Sequence, residues 1–106
     1  MDFKEARKEI NSINFDTLRT DDKDYLEAVL VKEEIDKLKE RLKKIFGDPQ
    51  AEISPKMEDT VKGFGGIMRG QTLYFWNEGQ SALFAMLWPW QDGSHTTLKM
   101  GRKKIA

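Results

Sequence analysis

Residues 72–93, TLYFWNEGQSALFAMLWPWQDG, constrain the fold more than any other stretch of the chain. Two runs rich in aromatic and aliphatic residues are separated by NEGQ and closed by QDGS, both turn-forming, which predicts β-hairpins. A strand with one solvated face alternates apolar and polar residues, and these runs do not. A sheet built from them therefore has two apolar faces, and each face needs a cover.

Turn chemistry assigns residues to faces, because loop length fixes the register. A two-residue Asp92-Gly93 turn sets Trp90 opposite His95, Trp88 opposite Thr97, Leu87 opposite Leu98 and Met86 opposite Lys99. A three-residue loop with Gly79 in the left-handed conformation pairs Trp76 with Gln80 and Leu73 with Leu83. The resulting meander has an aliphatic face (Leu73, Phe75, Leu83, Ala85, Leu87, Leu98, Met100). Its other face is aromatic with polar tips (Thr72, Tyr74, Trp76, Phe84, Met86, Trp88, Trp90, His95, Thr97, Lys99). A two-residue Glu78-Gly79 turn would instead move Tyr74 and Trp76 beside Leu83 and Leu87. Five rings of ~150 Å² or more each form a patch at or beyond what a monomer usually leaves bare.

Upstream the pattern is helical. Phe3, Ala6, Ile10 and Ile13 line one side of a short helix over about 2–13. Ala28, Val31, Ile35, Leu38, Leu42 and Ile45 keep a spacing of three and four, which predicts a second helix over about 22–46. Asp21, Asp22 and Asp24 would then cap its start and complement its dipole, and Gly47 and Pro49 would end it. Its first half has a broad apolar face through Tyr25, Leu26, Val29 and Leu30. The narrow stripe of its second half packs on the sheet or pairs with another helix. Residues 48–59 carry two prolines and no period and read as a linker, and VKGFGGIM at 61–68 reads as the first of four strands. The expected architecture is α+β: one domain, 1–106, with a helical part at 2–47. Both helices pack on the aliphatic face of a four-stranded antiparallel meander over about 60–104.

The 106 residues contain no cysteine, which removes disulfides and thiolate chemistry. The single histidine removes histidine clusters, so neither a metal nor a cofactor is expected. The net charge is zero but uneven: 12 Lys and Arg against 16 Asp and Glu in residues 1–60, and 6 against 2 in residues 61–106. The nine-residue run ALFAMLWPW is too short for a helix to cross a bilayer, and a cytoplasmic, membrane-free protein is the expectation.

KGFGGIMR, residues 62–69, resembles the RNP1 motif of RNA-recognition domains through Lys62, Gly63, Phe64, Gly65 and Ile67. Gly66 and Arg69 stand where that motif carries aromatics. GGIMRGQT has the glycine spacing of a phosphate loop, with Gln71 in place of the lysine and a strand-like segment following. Glu78 and Asp92, the acids of the sheet half, are placed in two turns at one end of the sheet, too exposed for tuned acid–base work. His95 reads as stacked on Trp90.

These readings favour a non-enzymatic interaction or assembly module, expected to form a homodimer or to bind another protein. Its partner surface would be Tyr74, Trp76, Phe84, Met86, Trp88, Trp90, His95 and Lys99. The alternative is single-stranded nucleic-acid binding by the same rings with Lys62, Arg69, Lys99, Arg102 and Lys103.

Overall fold

A computed structural model describes residues 2–104. The described residues form an α+β fold with three helices and a five-stranded antiparallel sheet. Helix α1 (Phe3–Glu9) is followed by strands β1 (Thr17–Asp21) and β2 (Tyr25–Val31), and a 3-10 turn leads into helix α2 (Ile35–Phe46). Helix α3 (Pro55–Val61) runs into a second 3-10 turn at Lys62–Phe64, and strands β3 (Thr72–Asn77), β4 (Ser81–Pro89) and β5 (His95–Lys104) complete the order. The strands lie as β1-β2-β5-β4-β3. Among the described residues no helix is long and apolar enough to cross a membrane.

The long helix expected over 22–46 is cut by a strand: Tyr25–Val31 is β2, and only Ile35–Phe46 is helical. Asp22 serves a turn instead of a helix start. Its Oδ1 accepts the amides of Asp24 and Tyr25, and its own amide donates to the Tyr25 carbonyl. From there Leu26, Ala28 and Leu30 are buried on one sheet face, while Tyr25, Glu27 and Val29 point to the other. The helix end is as expected, with Gly47 at φ 80° and its amide on the Lys43 carbonyl.

The first expected strand and much of the expected linker are also corrected. Ser54 caps α3 by accepting the Met57 amide, and Pro55 occupies the first helical turn where its missing N–H costs nothing. VKGFGGIM is therefore the end of a helix, a 3-10 turn and a loop, so the RNP1-like residues are not on a strand. β1 and β2, drawn from the part expected to be helical, replace it in the sheet.

The β4–β5 register is the expected one, with Trp88 opposite Thr97 and Leu87 opposite Leu98. The turn differs in detail: Gly93 alone has positive φ, and the Asp92 carboxylate accepts the Ser94 and His95 amides. The β3–β4 register is not the one expected from a three-residue loop. Leu73 pairs with Met86 and Trp76 with Leu83, because Gly79, at φ 79°, takes the first position of a Gly79-Gln80 tip and Glu78 bonds to Ser81. Tyr74 and Trp76 thus share a face with Leu83 and Leu87, as the alternative turn implied, and Leu73 and Phe75 move to the opposite one. The turns carrying Glu78 and Asp92 lie at opposite ends of the sheet, since Ser81 pairs at one end of β4 and Pro89 at the other.

The helices α1 and α2 cover the first face. Phe3, Ala6, Ile10, Leu38, Leu42 and Ile45 pack there on Leu26, Leu30, Leu83, Leu87, Leu98 and Met100. The narrow stripe of α2 is thereby consumed. The second face is covered as well, contrary to helices on one side only: Val61, Phe64, Ile67, Ile53 and Met57 pack on Leu73, Phe75, Phe84 and Met86. The chain passes between the faces around the β3 edge, where the Gln50 amide donates to the Leu73 carbonyl at 2.8 Å.

Candidate interaction site

The residues expected to form one aromatic surface are divided by this cover. Tyr74 is buried on the first face with its ring 5.9 Å from Phe46. Phe84 and Met86 are fully buried beneath the cover, and Phe64 stacks between Phe84 at 4.7 Å and Tyr25 at 5.0 Å. Trp88 marks the limit of the cover. Gly65 sits so close that a Cβ there would lie 2.3 Å from the indole, and at φ 103° no side chain is favoured in any case. Trp76, on β3, and Trp90, just past the end of β4, remain accessible, at 45% and 39% exposure, on different faces.

Lys99 and Glu27 are cross-strand neighbours at the border of the covered region. The Lys99 side chain is only 13% exposed. Its Nζ lies 3.6 Å from the Trp88 ring centroid, donates to the Phe64 carbonyl at 2.8 Å and stands 4.0 Å from Glu27 Oε1. Glu27 Oε1 accepts the Tyr25 hydroxyl at 2.7 Å, and its Oε2 meets Arg19 at 3.4 Å. Trp88 Nε1 is buried and has no acceptor among the described residues. An unpaired buried donor of this kind costs about 1–3 kcal/mol.

Past Trp88 the second face opens. Trp90 Nε1 donates to Thr97 Oγ1 at 2.8 Å, which lays the indole across the sheet. His95 stacks on it at 4.9 Å, as expected from the register, and the Arg19 guanidinium lies 5.9 Å from the ring. His95 Nδ1 is 2.6 Å from Asp92 Oδ2, and its Nε2 is 3.9 Å from Asp16. The Asp92 carboxyl is held below its ordinary value by the Ser94 amide first and by the His95 ring next.

The basic residues proposed for nucleic acid are not gathered around Trp90. Lys99 points inward to Phe64, Arg102 stands 3.8 Å from Asp24, and Lys103 reaches the neighbourhood of Gly63. Arg102 and Lys103 lie at the end of β5 opposite His95, while Lys62 and Arg69 are exposed on the cover and its loop. Sequence reasoning missed Arg19, Tyr25 and Glu27, the residues of β1 and β2 that complete the site. The signal available for Glu27 was a single charge inside the apolar run YLEAVLV.

The same geometry fixes an alkaline titration. Burial pushes the Tyr25 hydroxyl far above its ordinary value of 10.0, and the Glu27 carboxylate adds to the effect; burial also raises Tyr74. A raised folded-state pKa gives stability that is complete below pH 10.0 and lost as pH climbs beyond it. Lys99, depressed by desolvation, runs the other way: its penalty fades as pH approaches 10.5. With two phenols against one amine, stability should fall above pH 10.0. Phenolate absorbance should stay low in folded protein near that pH and appear only with loss of the native circular dichroism. Ionisation of either tyrosine at its ordinary value in native protein would contradict the burial.

No family model, curated protein or solved structure matches the chain.

Proposed function

We propose that the chain is a non-enzymatic protein-interaction module that forms a homodimer through the open part of its second sheet face. The observation that carries this reading is Trp90, a large ring left accessible and held flat by Thr97, His95 and Arg19. A pre-ordered tryptophan loses little conformational freedom on docking, and tryptophan and arginine are the side chains most enriched among interface hot spots. Charges of both signs surround it: the Arg19 guanidinium at the ring, and the Asp16 and Asp92 carboxylates at the His95 imidazole. Across a two-fold axis such a patch can set the carboxylates of one copy against the guanidinium of the other.

Light scattering coupled to size exclusion should therefore report a dimer at high micromolar concentration. Trp90→Ala should weaken it by roughly 30-fold, the equivalent of a 2 kcal/mol hot spot, while Trp76→Ala leaves it unchanged. A wild-type monomer under those conditions would remove the reading.

A further inference from the structure

We propose that residues 51–71 form a strap that opens from the second sheet face as one unit, without unfolding the sheet, and that Lys99 is its latch. Opening would make Phe84, Met86 and Trp88, alternate residues on one face of β4, and Trp90 just past its end, a continuous accessible row. The proposal is independent of self-association and is tested on the monomer or the dimer alike.

The two covers of the sheet are attached in different ways. On the first face, Arg7 grips Asp21 through two hydrogen bonds of 3.1 Å, Arg41 meets Glu9 and the Asn14 amide donates to Glu34. Lys37 reaches the Ser12 carbonyl as well, so α1, α2 and β1 are cross-tied by side chains at several points. The strap has no such bracing. Its hydrogen bonds close on itself: Ser54 to Met57 and Glu58, Thr60 to Lys56, Gly66 to Val61, and Gln71 to Met68 by both backbone and side chain. Among the described residues, the one hydrogen bond that leaves the segment joins Lys99 Nζ to the Phe64 carbonyl.

What remains is apolar packing by Val61, Phe64, Ile67, Ile53 and Met57. That packing is opposed by one polar group which fares better when the strap lifts: Trp88 Nε1 has no acceptor among the described residues. Lys99 works against opening, since its Nζ holds both the Phe64 carbonyl and the face of the Trp88 ring only while the strap is down. The ends of the segment can absorb a change of direction. Gly70, at φ 87°, precedes β3, and on the other side residues 51–54 lie outside any helix or strand, just past the Gln50 anchor. Units held by few buried bonds are the ones that open below the free energy of global unfolding.

Native-state hydrogen exchange at low denaturant is the test. Amides of α3 and Gly66 should exchange through an opening with a small denaturant dependence, while amides of β4 and β5 exchange through the global one. Lys99→Met should raise exchange in the strap at least tenfold with the β5 amides nearly unmoved. Acrylamide quenching of Trp88, measured with Trp76→Phe and Trp90→Phe in the background, should rise with it. Gly65→Ala, whose Cβ would meet the Trp88 ring, supplies a second lever and should give the same regional signature. The strap is overturned if its amides follow the denaturant dependence of β5. The latch is overturned if Lys99→Met leaves strap exchange unchanged, slows it or speeds all regions equally.

Discussion

Replacing Phe84 with alanine is expected to cost about 3–5 kcal/mol of folding stability, the range for deleting a fully buried ring. The ring lies between Phe64 above and the sheet below, at 0% exposure, so its removal leaves a void that neither layer can fill without moving. Such a loss is a large fraction of the ~5–15 kcal/mol available to a domain of this size. Trp76→Ala, at an accessible site on β3, should change stability by no more than ~0.5 kcal/mol. Equilibrium urea denaturation of the two variants checks both numbers. Equal and small effects would mean that the second face is wet and that the strap does not lie on it.

The second large effect is expected at Gly101. This residue is buried in the middle of β5, and its backbone conformation is one any residue adopts; space is the constraint. A Cβ would lie 2.9 Å from Phe84 Cζ and 3.0 Å from Tyr25 Cδ1, so two rings close over the glycine from either side. Valine at this position must push both rings, and with them Phe64, for a loss of about 1–3 kcal/mol or more. The tyrosine is tied to Glu27 and the phenylalanine to the strap, so the displacement has little room to dissipate. A Gly101→Val protein with wild-type denaturation would show that the aromatic packing across β5 is loose.

Much of this architecture was legible where turn chemistry and period agree. The QDGS turn gave the β4–β5 register and with it the His95–Trp90 stack, and the stripe Leu38, Leu42, Ile45 with Gly47 gave α2 and its end. The segment YLEAVLV was ambiguous for a physical reason. Leu26 and Leu30 are four apart, which is one helical turn and also two strand repeats, so the pair returns to one face in either structure. Only the alternation through Ala28 and Glu27 separates the two, and the helix-compatible rhythm continuing into Ile35 overrode it. The β3–β4 hairpin failed for a different reason. One glycine in NEGQ can occupy several loop positions, and moving it by a step exchanges the faces of the whole strand. Arg19, Tyr25 and Glu27 were lost from the candidate site with the strands that carry them. The strap was missed because Ser54 and Pro55, a helix start in plain view, stood in a stretch with no apolar period to announce a helix.

The order β1-β2-β5-β4-β3 has a consequence for how the sheet can assemble. The hairpin of β1 and β2 and the hairpin of β3 and β4 each form from neighbouring sequence, yet they share no hydrogen bond with one another. Within the described sheet their hydrogen-bonded link is β5, which pairs Tyr25 with Gly101 and Val31 with His95, the most distant strand pairing along the chain. Closing so long a loop is slow and is rewarded late. β3, β4 and β5 are a local meander, so the β2–β5 pairing is the one long-range seam of the sheet, and β5 is its keystone.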